Sequence, residues 1–218
     1  MTFTEQKKIL SKGGLLYLIL DFEVIKKLRK DIFLLLDGLA SSGVDMVQFR
    51  FKNLSNCEAL TIARKITSML KRKHVITVIN DRCDIAFLSH ADGVHLGAED
   101  LSTKDARKIL GKNKLVGRTI HSYKDMKLFG KEADYLSIGP VFPTTTKDNL
   151  KATGIKKFCK LYSLCNKPIF AIGGINIKNI FKLTNKGINN VAICSGILAS
   201  PQPKETTRLI KQCLQKPL

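Results

Sequence analysis

Short β-branched runs alternate with amphipathic helical stretches eight times along this 218-residue chain, and no hairpin dipeptide joins one run to the next. Strands that are not hairpin neighbours pair in parallel through crossover helices, which places the chain in the α/β class. The strands are read at 15–21, 46–51, 75–80, 93–96, 115–120, 135–139, 168–172 and 190–194. The helices follow at 31–42, 57–73, 83–88, 102–110, 122–131, 155–165, 177–186 and 204–215. In the second helix Leu60, Ala63, Ile66, Thr67 and Leu70 recur at a spacing of three or four residues, as one apolar face requires. A Ser102 cap opens the fourth helix and Gly111 closes it. Eight strand–helix units in about 200 residues fit a single (β/α)8 TIM barrel at the short end of its size range. The alternative, a doubly wound open sheet, calls for a G-x-G-x-x-G after the first strand, and none is present. The barrel is expected over 15–218, with 1–14 as an N-terminal extension.

Composition supports a real core: 44% of residues are hydrophobic, so disorder is excluded. The longest apolar runs, at 15–20 and 32–36, fall far below the roughly 20 residues of a membrane span. The first 14 residues lack the apolar segment and cleavage site of a signal peptide. Six cysteines without C-x-x-C or zinc-like spacing read as reduced thiols. A soluble, cytoplasmic protein is expected.

Charge is the unusual property. Thirty-seven Lys and Arg against 18 Asp and Glu give +19. Such a balance favours nucleic acid, anionic membranes or phosphorylated metabolites. The cations are scattered, with no block of five, no aromatic interleaving and no Trp. Neither a specific nucleic-acid partner nor a membrane is expected; a Lys-rich surface without specific purpose is the plain alternative. Homo-oligomerisation is left open.

In a barrel, reactive groups belong at the C-terminal ends of the strands. The second strand ends Gln48-x-Arg50-x-Lys52, three polar residues with period two on one face. Facing inward they would be expensive without a ligand. Facing outward they would form a solvated stripe, with Val47, Phe49 and Phe51 filling the interior. The third strand ends Asn80-Asp81, and Asp100 follows the fourth. Each Asp could cap a helix, yet two carboxylates on one rim also suit a hard cation such as Mg2+. After the sixth strand comes G-P-V-F-P-T-T-T-K at 139–147, after the seventh A-I-G-G-I at 171–175, and after the eighth Cys194-Ser195-Gly196. Such loops commonly hold phosphate. His121 is read either as a general acid/base or as a filler of the barrel mouth. His74 and His90 read as surface residues, and His95 as an interior histidine with its hydrogen bonds met.

Taken in order, Q-F-R-F-K at 48–52, I-N-D-R at 79–82, A-D-G-V-H-L-G-A-E-D at 91–100, G-R-T-I-H-S at 117–122, G-P-V-F-P-T-T-T-K, A-I-G-G-I and C-S-G resemble the thiamine-phosphate synthase family. The resemblance runs from about residue 15 to residue 201. It implies a transferase joining 4-amino-5-hydroxymethyl-2-methylpyrimidine diphosphate to 4-methyl-5-(2-phosphoethyl)thiazole, with release of pyrophosphate. By position, Gln48, Arg50, Lys52 and Asn80 match residues that hold the pyrimidine diphosphate, and Asp81 and Asp100 match Mg2+ ligands. Lys147 matches a pyrophosphate-binding lysine. Thr144 and Thr146 match hydroxyls on the thiazole phosphate, and Gly174 and Ser195 its backbone and hydroxyl binders. Arg50, Lys52 and Lys147 are the expected catalytic cations. Thr119 stands where the family usually has Ser, Ala98 where it has Gln, and Cys194, beside Ser195, where it has an aliphatic residue. A related thiazole tautomerase, which would use His121 on the same barrel, lacks the R-x-K, N-D and T-x-T-K elements found here. A non-catalytic basic barrel binding phosphate or nucleic acid would explain the charge but neither Asp.

Overall fold

The computed structural model describes residues 1–144 and 152–215. Eight strands pair in chain order, all parallel, and the last closes on the first. They are β1 (Leu16–Asp21), β2 (Met46–Arg50), β3 (Ile76–Asn80), β4 (Gly93–Leu96), β5 (Leu115–Ile120), β6 (Tyr135–Ile138), β7 (Ile169–Ile172) and β8 (Val191–Ile193). The (β/α)8 barrel expected from the alternation is the observed fold. Around it lie α1 (Phe3–Lys12), α2 (Phe22–Lys27), α3 (Ile32–Ala40), α4 (Asn56–Arg72), α5 (Cys83–Leu88), α6 (Thr103–Leu110), α7 (Tyr123–Phe129), α8 (Gly154–Tyr162), α9 (Phe181–Thr184), α10 (Ser195–Leu198) and α11 (Pro203–Gln215). Among the described residues, no helix is long and apolar enough to cross a membrane.

Local chemistry accounts for the helix starts. Ser55 and Glu58 form a reciprocal capping box at α4, and Ala59, Ala63, Ile66, Thr67 and Leu70 make its buried stripe. Ser102 caps α6, and Gly111, with φ +77°, ends it where an L side chain would be strained.

Period two divides the strand residues between two cores. Leu16, Leu18, Leu20, Val47, Phe49, Val94, Val116 and Leu136 face the helices. Tyr17, Ile19, Met46, Ile76, Val78, Leu115, Tyr135 and Phe170 fill the barrel interior. Phe49 and Phe51 therefore lie outside the barrel, which turns Gln48 and Arg50 inward; the outward-stripe alternative for β2 does not hold. At Gly117 an added Cβ would sit 2.2 Å from the Tyr135 ring and 2.5 Å from His95 Nδ1, so only glycine lets these side chains cross the interior.

The N-terminal residues form a helix that closes the barrel bottom. Leu10 joins the interior core, Gln6 Nε2 donates to Asp92 at 2.6 Å, and Lys7 pairs with Asp134 at 2.8 Å. A capping box of Thr2 and Glu5 starts the helix. Many cations elsewhere close backbone ends: Lys30 donates to Leu198 O, Lys114 to Ala91 O, Lys167 to Ala133 O and Lys211 to Gly14 O. Part of the basic excess thus satisfies main-chain carbonyls.

Three departures from the sequence reading have local causes. Asp21 ends β1 and also caps α2, a short helix that lies outside the expected eight. The helix expected at 177–186 shrinks to α9, because Asn176 and Asn179 bind neighbouring backbone: Asn176 Oδ1 accepts from Lys178 N and Asn179 Nδ2 donates to Gly174 O. The helix expected at 155–165 stops at Tyr162, and Cys165 Sγ accepts from Lys167 N.

Candidate active site

The strand ends converge on one cavity at the C-terminal mouth, lined in part by Asp21, Gln48, Arg50, Asn80, Asp81 and His121. β1 and β2 supply its first wall. Asp21 and Arg50 are register partners, and the Arg50 guanidinium pairs with Asp21 Oδ2. Two residues deeper, Gln48 Nε2 donates to Tyr17 Oη at 2.7 Å.

The second wall carries the acidic pair. Asp81 follows β3 with φ +63°, a left-handed conformation that is uncommon outside glycine and clusters at functional sites. Its amide donates to His95 O at 2.8 Å. Burial disfavours the Asp81 carboxylate, but hydrogen bonds from Asp100 and Lys52 outweigh that and hold it below the usual range. Asp100 moves the other way, raised by burial and by sharing a hydrogen bond with Asp81. Lys52 Nζ reaches Asp81 Oδ2 at 2.8 Å from the rim. Neither Asp is a helix cap: α5 has no side-chain cap bond, Ser102 caps α6, and Asp100 Oδ2 instead accepts from Gly97 N at 2.6 Å.

Beneath the cavity lies a buried polar chain. Tyr17 Oη and Tyr135 Oη are 3.0 Å apart, and Tyr135 Oη is 3.2 Å from His95 Nδ1. His95 Nε2 is 2.9 Å from Thr119 Oγ1, which is 3.0 Å from Ser137 Oγ. Burial pushes both tyrosines above their usual range, so both stay neutral. His95 is thus an interior histidine with hydrogen-bond partners, as expected, and it also forms part of the cavity floor.

The remaining strand ends complete the rim. His121 receives a fixed orientation: its amide donates to Asp125 Oδ2 at 2.8 Å, and Nδ1 donates to Gly139 O at 3.2 Å. The glycine pair after β7 serves close packing, since a Cβ on Gly174 would meet Pro143 O at 2.3 Å and one on Gly173 would meet Pro140 Cβ at 2.4 Å. That approach seats the 139–144 loop, with Phe142 N donating to Gly173 O at 3.1 Å. Thr144, Gly174, Cys194 and Ser195 all line the cavity. Burial, and then Asp21, pushes the Cys194 thiol up to about 12.

Of the residues singled out in the sequence, the fold brings Gln48, Arg50, Asn80, Asp81, Thr119, Thr144, Gly174, Cys194 and Ser195 to this cavity, with Lys52 and Asp100 joined through Asp81. Thr146 and Lys147 lie outside the described residues. Asp21 and the Tyr17–Tyr135 pair were not singled out. Asp21 ends a strand just as Asn80 does, so the strand-end rule applied to β1 would have found it. The tyrosines carry no local signal, because they meet only when the barrel closes.

Comparison with known proteins agrees. A family model described as thiamine monophosphate synthase matches residues 16–197. A thiamine-phosphate synthase of Prochlorococcus marinus subsp. pastoris is 40% identical over 84% of this chain and 52% of its own length. Another, of Persephonella marina, is 35% identical over 92% of this chain and 95% of its own. A solved thiamine phosphate pyrophosphorylase from Pyrococcus furiosus superposes with TM-score 0.82 at 27% identity, covering 92% of this chain and 95% of that one. The chain spans about half the length of some curated relatives, 52% and 58% for two from Prochlorococcus marinus. With the match running from β1 into α10 and including the strand ends that build the cavity, the chain belongs to the thiamine monophosphate synthase family.

Proposed function

We propose that this chain is a Mg2+-dependent thiamine-phosphate synthase. It transfers the 4-amino-2-methylpyrimidin-5-ylmethyl group from its diphosphate to 4-methyl-5-(2-phosphoethyl)thiazole, releasing pyrophosphate and forming thiamine monophosphate. One observation carries the reading: a carboxylate pair, Asp81 and Asp100, shares a barrel mouth with Arg50 and Lys52. Such a set fits a polyanion bound together with a hard cation: Arg50 and Lys52, each paired with one carboxylate, keep further donors for the anion.

The donor set fits Mg2+. Two carboxylates at one rim offer oxygen ligands only, and Mg2+ commonly takes one or two carboxylates and fills its shell from substrate phosphates and water. Asp81 and Asp100 would hold it, and when bound it neutralises charge on the departing diphosphate. Arg50, Lys52 and Lys147 take up the rest of that charge, each charge-assisted hydrogen bond contributing roughly 1.5–3 kcal/mol. Gln48 and Asn80 orient the pyrimidine. Its amino group stabilises the methylene cation left when the C–O bond breaks, and the thiazole nitrogen attacks that carbon. Thr144, Thr146, Gly174 and Ser195 hold the thiazole phosphate, and Thr119 with Cys194 shapes the wall between the two substrates. No strong general base is required, which suits a site whose floor is a buried, hydrogen-bonded Tyr–His–Thr chain. We place the enzyme in the cytoplasm, where thiols remain reduced.

A second reading rests on His121. Nδ1 is engaged with a carbonyl, so Nε2 is the acceptor nitrogen, suited to carrying a proton in a thiazole tautomerase. Thiamine monophosphate formation from both substrates, with and without Mg2+, beside Asp81→Ala, separates the readings. Mg2+-dependent product lost in the variant supports the synthase. A folded chain without product, but with tautomerase activity abolished by His121→Ala, overturns it.

A further inference from the structure

We infer that Asp21 is a positioning residue that holds the Arg50 guanidinium in place for a diphosphate group. The inference rests on the synthase reading for its substrate, and on geometry for the rest.

The two Asp21 carboxylate oxygens have separate tasks. Oδ1 accepts from Glu23 N at 3.0 Å and Val24 N at 3.3 Å, which ties the side chain to the first turn of α2. Oδ2 accepts from Arg50 Nη1. A carboxylate with one oxygen fixed by two backbone amides cannot swing away with its partner. The guanidinium therefore inherits the rigidity of the β1–α2 turn. Burial strengthens the clamp, since the Asp21 side chain is 3% exposed and that of Arg50 18%. Because Asp21 and Arg50 are cross-strand register partners, the barrel itself sets their separation.

An unclamped arginine loses rotamer freedom when it binds an anion; here folding has already removed that freedom, leaving the guanidinium donors not engaged by Asp21 for an incoming ligand. The same carboxylate also subtracts positive charge from the site. A plain counterion and a clamp therefore predict opposite signs for anion affinity when Asp21 is neutralised. Asp21→Asn makes that test, because the amide oxygen still caps α2 while its NH2 faces Arg50 donor against donor.

Binding of inorganic pyrophosphate in Mg2+ buffer would be measured calorimetrically on the wild-type chain, Asp21→Asn, Arg50→Met and the double variant, alongside turnover. Affinity about tenfold weaker in Asp21→Asn is expected, on the scale of one charge-assisted hydrogen bond. No further loss is expected when Asp21→Asn is added to Arg50→Met. Tighter pyrophosphate binding by Asp21→Asn would show a mere counterion and overturn the inference. An equal loss in both backgrounds would do the same, since Asp21 would then act through the fold and not through Arg50. Asp21→Ser retains a helix-capping hydroxyl and carries the same expectations if the Asn variant fails to fold. Wild-type protein that binds pyrophosphate without making thiamine monophosphate sinks the synthase reading but leaves this test intact. Wild-type protein that does not bind pyrophosphate overturns both.

Discussion

Lys52 Nζ lies 2.8 Å from Asp81 Oδ2, yet the lysine side chain is 51% exposed and projects from the end of β2 into the mouth. An ion pair this exposed contributes only about 0.2–1 kcal/mol to folding. The contact matters instead for where it holds a cation, next to the carboxylate pair.

Lys52→Met is accordingly expected to leave the melting temperature within a few degrees of wild type while, on the proposed synthase reaction, lowering kcat/KM for the pyrimidine diphosphate roughly 10- to 100-fold, the scale of one charge-assisted hydrogen bond. Scanning calorimetry and steady-state kinetics on the same preparation check it. A large melting shift with intact turnover would reassign Lys52 to the fold.

Tyr135→Phe tests the interior chain. It removes the hydroxyl between Tyr17 and His95, and with it one hydrogen bond from each of these two buried side chains. The expected loss is about 1–3 kcal/mol, or roughly 3–10 °C in melting temperature for a domain of this size. Tyr17 adds a pH signature. Burial raises its pKa, so the folded chain keeps the neutral phenol while the unfolded chain ionises near pH 10. That stability is full below about pH 10 and lost as pH rises further. Denaturant titrations from pH 8 to 11 on wild type and Tyr17→Phe should show a decline near pH 10 that is smaller in the variant, the cysteines titrating in both.

Arg118, inside the G-R-T-I-H-S motif, is 1% exposed. Its guanidinium donates to Leu101 O at 2.8 Å and Ala98 O at 3.2 Å and stacks 4.4 Å from the Phe129 ring. It pins the turn that carries Asp100. Arg118→Met is expected to cost about 2–4 kcal/mol and to speed amide hydrogen exchange over residues 97–102. Unchanged exchange there would show that the turn holds without it.

Barrel, strand order and most strand ends were legible in the sequence because period and punctuation are local. At β4, β5 and α5 even the boundaries agree. What escaped depends on closure or on competing local bonds. Gln48 meets Tyr17, and Tyr17 meets Tyr135, only across the finished interior, so no spacing announces them. The α9 shortfall was decided by two asparagines whose side chains claimed the backbone. Asp21 looked like the end of a strand and proved also to be a cap and an arginine partner, three tasks for one residue.

Cys194 gives the last prediction. Its thiol is pushed up to about 12 by burial, then by the Asp21 carboxylate, from an ordinary value of 9.0. The folded state therefore holds its proton through a range in which the unfolded chain releases it. The associated stability is fully present below about pH 9 and is lost as pH rises from there toward 12. Cys194→Val removes that thiol while keeping a side chain of similar size and apolar character. Its stability should fall less steeply than wild type above pH 9, with the two curves parallel below it. Because Cys83, also raised by burial to about 11, titrates in both proteins, the measured quantity is the difference between the curves. Coincident slopes from pH 9 to 11 would mean that the Cys194 thiol ionises as readily folded as unfolded, and would remove it from the neutral wall beside Asp21.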